Sequence, residues 1–434
     1  MKISVNNLCN TIWELEVKYD LFNQKRFGVP FWNMVRMRVY YSLAKRLGVF
    51  GEPHPFKRGF RWKISFLIGV VLGSFKNLMR IFDLISADVI VFEHIRTKKI
   101  DQNLFADVYS HYYALDKIKE KKKVLVFART QNGFFEKNDN LKRFNIDSIE
   151  LLRFIIGIVF SKLGLFTPKI TKALLRDINE EFNMDCSRQV APLLRKGVIE
   201  YFVSYCLYRL LFVFTFKVRE IILVDSYSSR AGIIAAAKDS GIKVSELQHG
   251  VITKYHLGYS YPEGSPNIRF IPDSLFVWSD FWRENLFNIW PTQLDTYSNK
   301  YFDKKISDYA HVERQDNAIV IISQGAISSQ LADQILLNLN KFINYKVYYK
   351  LHPSEYGNWQ NNQSLVEISK NKNFKLVEDV DLFELFSKCK YQVGVFSTAL
   401  FEGIEFGCKL ILVDLPGSEY MSCLKEKIYL HEFT

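Results

Sequence analysis

The chain has 434 residues, 48% hydrophobic and 24% charged, a globular balance that predicts two or three domains. Its 58 Lys and Arg outnumber 46 Asp and Glu for a formal charge of +12, which suits a phosphate-rich partner: nucleic acid, an anionic membrane surface or phosphorylated metabolites. The six cysteines, Cys9, Cys186, Cys206, Cys389, Cys408 and Cys423, form no C-x-x-C pair; this argues against a zinc knuckle or a disulfide framework and points to a reducing cytoplasm.

Met1 to Cys9 show no basic region followed by a sustained apolar run, so no signal peptide is expected. Three apolar segments, Ile64 to Leu72, Phe154 to Phe166 and Tyr201 to Phe216, approach the roughly 18 residues of a membrane span without reaching it. Residues 1 to about 85 read as helical, with Ile12, Leu15, Tyr19 and Phe22 at helical spacing before a break at Gly28-Val29-Pro30 and a second helix from Phe31 to Leu47. After the turn signals Gly51-Glu52-Pro53, the residues Lys57, Arg58, Arg61, Lys63, Lys76 and Arg80 flank an apolar middle with Trp62 at its edge. This reads either as an interfacial helix or as a buried core helix with basic ends.

From about residue 86 short β-branched runs alternate with helical stretches: DVIVFEH at 88–94, KVLVFAR at 123–129, EIILVD at 220–225 and KVSELQHG at 243–250, with 141–216 expected to be helical. A second set follows: SLFVWS at 274–279, AIVIISQG at 318–325, KVYYKLHP at 346–353, FKLVED at 374–379, YQVGVFS at 391–397 and KLILVD at 409–414. Two βαβ sets predict an α/β chain of two Rossmann-like domains facing a cleft. The expected divisions are 1–85, a helical and possibly membrane-associating extension; 86–272, an acceptor domain; and 273–434, a nucleotide-donor domain. Tyr261 to Pro272 is the turn-rich connector.

Ligands of open α/β sheets bind at the carboxyl ends of strands, so the residues after each run carry the functional reading. His352 and Pro353 follow one strand: the imidazole can donate to a phosphate oxygen and the proline fixes the turn, unless this is an ordinary strand-ending turn. Ser397 and Thr398 end another strand and open a helix that carries Glu402 one turn in. Hydroxyls and amides there suit an anion and Glu402 a ribose hydroxyl, or Ser397 and Thr398 merely cap the helix. Gln324 and Gly325 end a third run and are grouped with this donor site.

In the first set, Gln248, His249 and Gly250 end a strand, and Lys254, Tyr255, His256 and Tyr259 crowd the next loop. His249 is the candidate general base for an acceptor hydroxyl, Gly250 admits close backbone approach, and one of the two histidines is expected to be structural. Gln248, Lys254 and His256 are the accompanying acceptor-side residues. Asp225 is either a base or acceptor ligand or, the favoured reading, a helix cap before the Ser226 to Ser229 run. Asp379-Val380-Asp381 matches a D-x-D metal motif, but Asp381 is placed to cap a following helix, so no metal site is expected. Neither a G-x-x-x-x-G-K-[ST] loop nor a G-x-G-x-x-G after the first strand is present, which leaves an ATPase or dinucleotide oxidoreductase unsupported.

The order Gln248-His249-Gly250, His352-Pro353, then Ser397-Thr398 ahead of Glu402 resembles bacterial GT-B glycosyltransferases of capsule and lipopolysaccharide synthesis. These include sialyltransferase-like and Kdo-transferase-like enzymes that use CMP-sugars and teichoic-acid polymerases that use CDP-glycerol. The likeness covers roughly Asp225 to Gly417. It implies that His352 contacts the donor phosphate, Ser397 and Thr398 bind it by hydroxyl and amide, Glu402 holds the ribose, and His249 is a base or orients the acceptor. It also implies a metal-independent reaction with a nucleotide-sugar as substrate and no cofactor, a glycan or glycolipid acceptor, and a peripheral site on the cytoplasmic face of the inner membrane. Polyol-phosphate transfer, a nucleotide-sugar epimerase on the same architecture and a silent polysaccharide-binding scaffold are the alternatives. No nucleic-acid partner is expected, because the basic residues are dispersed and no recognised module appears.

Overall fold

Strands with apolar residues on both faces must be covered by helices on both sides, and this chain does so twice. A computed structural model describes residues 4–49, 60–101, 104–129, 140–162, 166–265, 270–285 and 293–433. The Gly51-Glu52-Pro53 turn, Lys57 and Arg58, the start of the amino-terminal segment and residues 266–269 of the connector lie outside them, as do the side chains of Arg61, Trp62 and Lys63. Two compact units result: Thr11–Ser42 with Lys57–Tyr301, and Phe302–Thr434 with Met1–Asn10 and Leu43–Phe56.

The chain opens with α1 (Val5–Lys18), of which the first unit holds the part from Thr11, a hairpin of β1 (Lys25–Arg26) and β2 (Val29–Pro30), α2 (Trp32–Arg46), in the first unit as far as Ser42, α3 (Phe60–Met79) and α4 (Ile81–Ser86). The break at Gly28 is the hairpin turn, where its φ of +75° favours glycine. Then come β3 (Val89–Phe92), a hairpin of β4 (Thr97–Asp101) and β5 (Leu104–Asp107), α5 (His111–Lys119), β6 (Val124–Ala128), β7 (Lys142–Asn145), α6 (Asp147–Lys162), α7 (Thr171–Glu181) and α8 (Ser187–Val213). After β8 (Glu220–Leu223) follow α9 (Ala231–Asp239), β9 (Lys243–Leu247), β10 (Ser274–Val277), α10 (Asp280–Glu284) and β11 (Gln293–Thr296). The parallel sheet has the order β11-β10-β9-β8-β3-β6-β7. The chain winds outward from β3 to β7, then restarts at β8 on the other side of β3, so β3 and β8 flank its topological switch point.

Three expectations are corrected here. The run SLFVWS becomes β10 and pairs with β9, Ser274 opposite Ser245 and Phe276 opposite Leu247, so the first sheet continues past residue 272 through β11. The Val244 N–H donates to the Asp273 carboxylate (2.9 Å) and the Asp273 N–H to the Val244 carbonyl (2.7 Å), which fixes that pairing. The stretch 141–216 is not wholly helical, since Lys142–Asn145 forms the edge strand β7. Nor are the first 85 residues an appendage. Arg36 of α2 is fully buried; its Nε and Nη2 donate to Glu16 of α1 at 2.8 Å each, and its Nη1 to the carbonyls of Leu257 (2.6 Å) and Ser260 (2.7 Å). The amino-terminal helices thus hold the loop after β9 by a buried guanidinium that donates from all three of its nitrogens.

The second unit carries α11 (Lys300–Asp308, beginning at the boundary), β12 (Gln315–Ile322), α12 (Ser328–Leu337), β13 (Lys346–Lys350), α13 (Gln363–Ser369), β14 (Phe374–Val377) and α14 (Leu382–Lys388). It ends with β15 (Cys389–Gly394), α15 (Thr398–Glu405), β16 (Lys409–Leu412) and β17 (Ile428–Tyr429). Its parallel sheet runs β14-β13-β12-β15-β16-β17, which puts the switch point between β12 and β15. Ile319, Ile321, Val347, Tyr349, Val393 and Ile411 from four adjacent strands are buried in its core. Asp381 accepts from the Phe383 N–H (3.1 Å) and caps α14, as its position before LFELFSKC predicts. The chain is therefore α/β, with two Rossmann-like parallel sheets.

Candidate functional site

In the second unit the switch point is bridged directly. The side-chain Oε1 of Gln324, after β12, accepts from the Phe396 N–H, after β15, at 3.1 Å. Next to it, Gly325 faces the turn after β13 so closely that a Cβ there would lie 2.6 Å from Ser354 Oγ and 2.9 Å from His352 Nδ1. A side chain here would push the Ser354 hydroxyl and the His352 ring aside. His352 is exposed, and its Nδ1 accepts from the Ser354 N–H at 3.2 Å with the Ser354 hydroxyl at 2.7 Å. Because a backbone N–H can only donate, Nδ1 is the acceptor and the neutral ring carries its proton on Nε2. Although the residue reaches solvent, desolvation of its ring by the surrounding turn, with Lys350 nearby, holds the imidazole below its usual range, so it presents a neutral N–H donor. The His352 N–H in turn donates to buried Glu355 (2.7 Å), and Pro353 opens the turn that sets this geometry.

Ser397 is the N-cap of α15, its Oγ accepting from the Ala399 N–H at 3.1 Å, with Thr398 as the first helical residue. The cap leaves the serine O–H available as a donor beside the helix amino terminus. Glu402 lies one turn along and is half-buried. Gly417, at φ +104°, lets the loop after β16 close on the Phe396 ring, which also meets Tyr420 at 5.5 Å between centroids. Gln324, Gly325, His352, Ser354 and the Phe396-Ser397 turn therefore line the carboxyl edge of three adjacent strands.

The first unit gathers a different set at the ends of β3, β8, β9 and β10. His249 is half-buried, with Tyr227 Oη 3.4 Å from its Nε2 and Tyr259 Oη 3.4 Å from its Nδ1. Tyr259 donates to Glu246 Oε1 (2.5 Å), which also accepts from the Ser226 N–H (3.0 Å). Burial pushes the Glu246 carboxyl up to about 8, so it is mostly protonated at neutral pH. His94, after β3, and Tyr109 lie 6.0 Å and 6.3 Å from the His249 ring. Asp107 anchors both: it accepts from the N–H groups of His94 (3.0 Å), Tyr109 (2.9 Å) and Ser110 (3.3 Å), and burial raises its carboxyl to about 6. Burial drives His94 down to about 4, His256 to about 3, and His249 in the same direction. The site is a set of neutral imidazoles and phenols at the sheet's switch point.

Asp225 is half-exposed 3.5 Å from Arg230 Nε, and the short helical turn beside it has no side-chain cap, so Asp225 does not serve as the favoured helix cap. His256 packs edge-on to Tyr227 at 5.3 Å and tilted on Tyr259 at 4.9 Å; a Cβ at Gly258 would come within 2.9 Å of both the His256 and Tyr227 rings. Gln248 is occupied by backbone, donating to the Gly250 carbonyl (2.9 Å) and accepting from the Trp278 N–H (2.9 Å). Lys254 lies over the Tyr255 ring, 4.8 Å from its centroid. Sequence reasoning missed His94, Tyr109, Tyr227, Glu246 and Ser354. The Glu93-His94 pair closing the first β-branched run was the available signal. Among the described residues no group of three or more His, Cys, Asp or Glu side chains is arranged to hold a metal ion.

No family model matches the sequence. Over 190 residues, 41% of this chain, it is 25% identical to an uncharacterised protein of Methanocaldococcus jannaschii, and it spans 33% of that protein's length. Among solved structures it is similar to the UDP-GlcNAc 2-epimerase of M. jannaschii, with a TM-score of 0.44, 10% identity and coverage of 79% of this chain and 87% of that one. A glycosyltransferase from Rickettsia africae gives 0.41 and 10%, covering 79% and 84%. The pneumococcal O-GlcNAc transferase in complex with UDP and GlcNAc gives 0.29 and 13%, covering 45% and 42%.

Proposed function

We propose that the chain is a metal-independent GT-B glycosyltransferase that moves a sugar from a nucleotide-activated donor, with a CMP-sugar favoured, to a growing lipid-linked surface polysaccharide at the cytoplasmic face. The observation that carries this reading is the bridged switch point of the second sheet: Gln324 joins two strand ends, while Gly325 brings His352 and Ser354 beside them. A neutral Nε2–H and helix-end amides are suited to a departing nucleotide phosphate, because preformed donors stabilise charge that develops there without reorganising. In the first unit His249, kept neutral by burial and flanked by two phenols, is suited to take the proton of an acceptor hydroxyl. The CMP preference rests on the motif resemblance alone.

A polyol-phosphate transferase would use the same donor residues but attack phosphorus, and the choice of donor separates the two. A nucleotide-sugar epimerase gains support from one feature, the pair of buried carboxyls Asp107 and Glu246 near neutral imidazoles, a richer acid–base set than the sequence suggested. The test is incubation of purified protein with CMP-, CDP- and UDP-linked donors, with and without membrane glycolipid, followed by NMR. Acceptor-dependent nucleotide release from a sugar donor, lost in a folded His352→Ala variant, supports transfer. Acceptor-free conversion of the donor to its epimer would replace it with the second reading.

A further inference from the structure

Helix α3 is built the wrong way round for a water-facing element. Gly69, Val70 and Gly73 are buried and Asn77 half-buried, so its small and polar stripe faces the protein. Asn77 Nδ2 donates to the Asn145 carbonyl (2.7 Å) and its Oδ1 accepts from the Asn145 N–H (2.8 Å), fastening α3 to the edge strand β7. A Cβ on Gly73 would stand 2.5 Å from the Asn145 side chain, which shows how close that approach is. The bulky residues point outward instead: Leu72, Phe75, Leu78 and Met79, continued by Phe82 of α4, are between 51% and 78% exposed. Helix α3 packs on α6 and α6 on α8. Those helices expose apolar residues as well, Phe154 and Val159 on one, Leu210 and Val213 on the other. Apolar surface on this scale is a place of contact.

Charge identifies what it contacts. Segments 53–86, 147–162 and 201–219, which contain these three stripes, hold 11 of the chain's 58 Lys and Arg and three of its 46 Asp and Glu, namely Asp83, Asp147 and Glu150. The remaining 47 basic residues against 43 acidic leave the rest of the chain at +4, so +8 of the surplus of +12 resides in the segments with the outward apolar faces. Apolar side chains combined with a net basic charge match the interface of an anionic bilayer, where the rings and chains enter the headgroup region and the cations meet lipid phosphate. No helix among the described residues is long and apolar enough to cross a membrane.

We infer that α3, α4, α6 and the end of α8 form a docking face for an anionic lipid surface, on which the protein lies without spanning it. This goes beyond the transferase reading and does not need it, since vesicle binding requires no donor or acceptor. The experiment is flotation of the full chain with vesicles of phosphatidylcholine alone or with phosphatidylglycerol, at low and high salt. Binding is expected to be at least about tenfold tighter to the anionic vesicles and to weaken with salt, since headgroup attraction is screened. A Leu72→Gln/Phe75→Ser/Phe82→Ser variant should lose at least about tenfold in binding, with an unchanged circular dichroism spectrum, whereas Leu337→Ser, an exposed apolar position in the second unit, should bind as wild type. Failure of the wild type to float with either vesicle, or unchanged binding by the triple variant, overturns the inference. So does a dimer in sedimentation that the triple substitution dissolves without any vesicle binding, which would give the face to a second copy.

Discussion

Replacing Arg36 with Met tests how firmly the amino-terminal helices hold the loop that carries His256 and Tyr259. Met keeps most of the apolar stem and removes every guanidinium bond, leaving Glu16 buried with only the Trp32 Nε1–H (2.7 Å) as a donor and the Leu257 and Ser260 carbonyls without theirs. Removing one partner of a buried ion pair costs about 3–5 kcal/mol. Burial already raises the Glu16 carboxyl, with Arg36 acting against that rise. Without Arg36 the carboxyl takes up a proton in the folded state, which brings the expected loss to about 3 kcal/mol. The folded pKa is then further above the unfolded value of about 4.3. Folded protein holds more protons over that window, and stability of the variant falls as pH rises through it. Adding Glu16→Gln removes this slope and returns about 1–2 kcal/mol. Urea unfolding followed by tryptophan emission reads the right unit, because six of the seven tryptophans precede residue 302. A loss below about 1 kcal/mol for Arg36→Met, or no offset from Glu16→Gln, would refute the view that this pair fastens the loop.

Gly325→Ala should leave unfolding unchanged within about 0.5 kcal/mol yet weaken nucleotide binding about tenfold by calorimetry, because the new methyl displaces His352 and Ser354. His352→Ala should lower nucleotide release about 10–100-fold, with Gln retaining part of it as an N–H donor; equal rates in all three proteins would remove His352 from the site. Glu246 has a folded pKa raised to about 8, so its contribution to stability is fully present at acid pH and lost as pH climbs from the usual carboxylate range toward 8. Glu246→Gln should flatten that part of the stability profile, measured by denaturation between pH 5 and 9. Gly258→Ala should disturb the His256 and Tyr227 rings and cut activity without the destabilisation expected for Arg36→Met, as checked by near-ultraviolet dichroism.

The strands with long apolar runs, AIVIISQG, KVYYKLHP and KLILVD, were legible because continuous β-branched stretches have few other uses. Their carboxyl ends led directly to Gln324, Gly325 and His352. SLFVWS was equally visible as a strand, but its sheet was not, since membership depends on a partner about 30 residues away and on a side-chain bond from Asp273. Arg36 and Glu16 look like surface charges at helical spacing; only the folded chain shows them wholly buried. His94, Tyr109 and Glu246 were hidden for a related reason. Each stands alone in sequence, and the crossovers between β3, β8 and β9 bring them together.

The Asn77–Asn145 pair has a consequence for how the molecule avoids its neighbours. A carboxamide carries the same donor and acceptor as a peptide unit, so one residue of α3 imitates the next strand and occupies backbone positions of β7 that another chain would otherwise join. Should α3 be drawn away, those positions become available for strand addition, and fibrillar or tangled multimers are the natural outcome. The helix is in this sense an end-stop for the sheet.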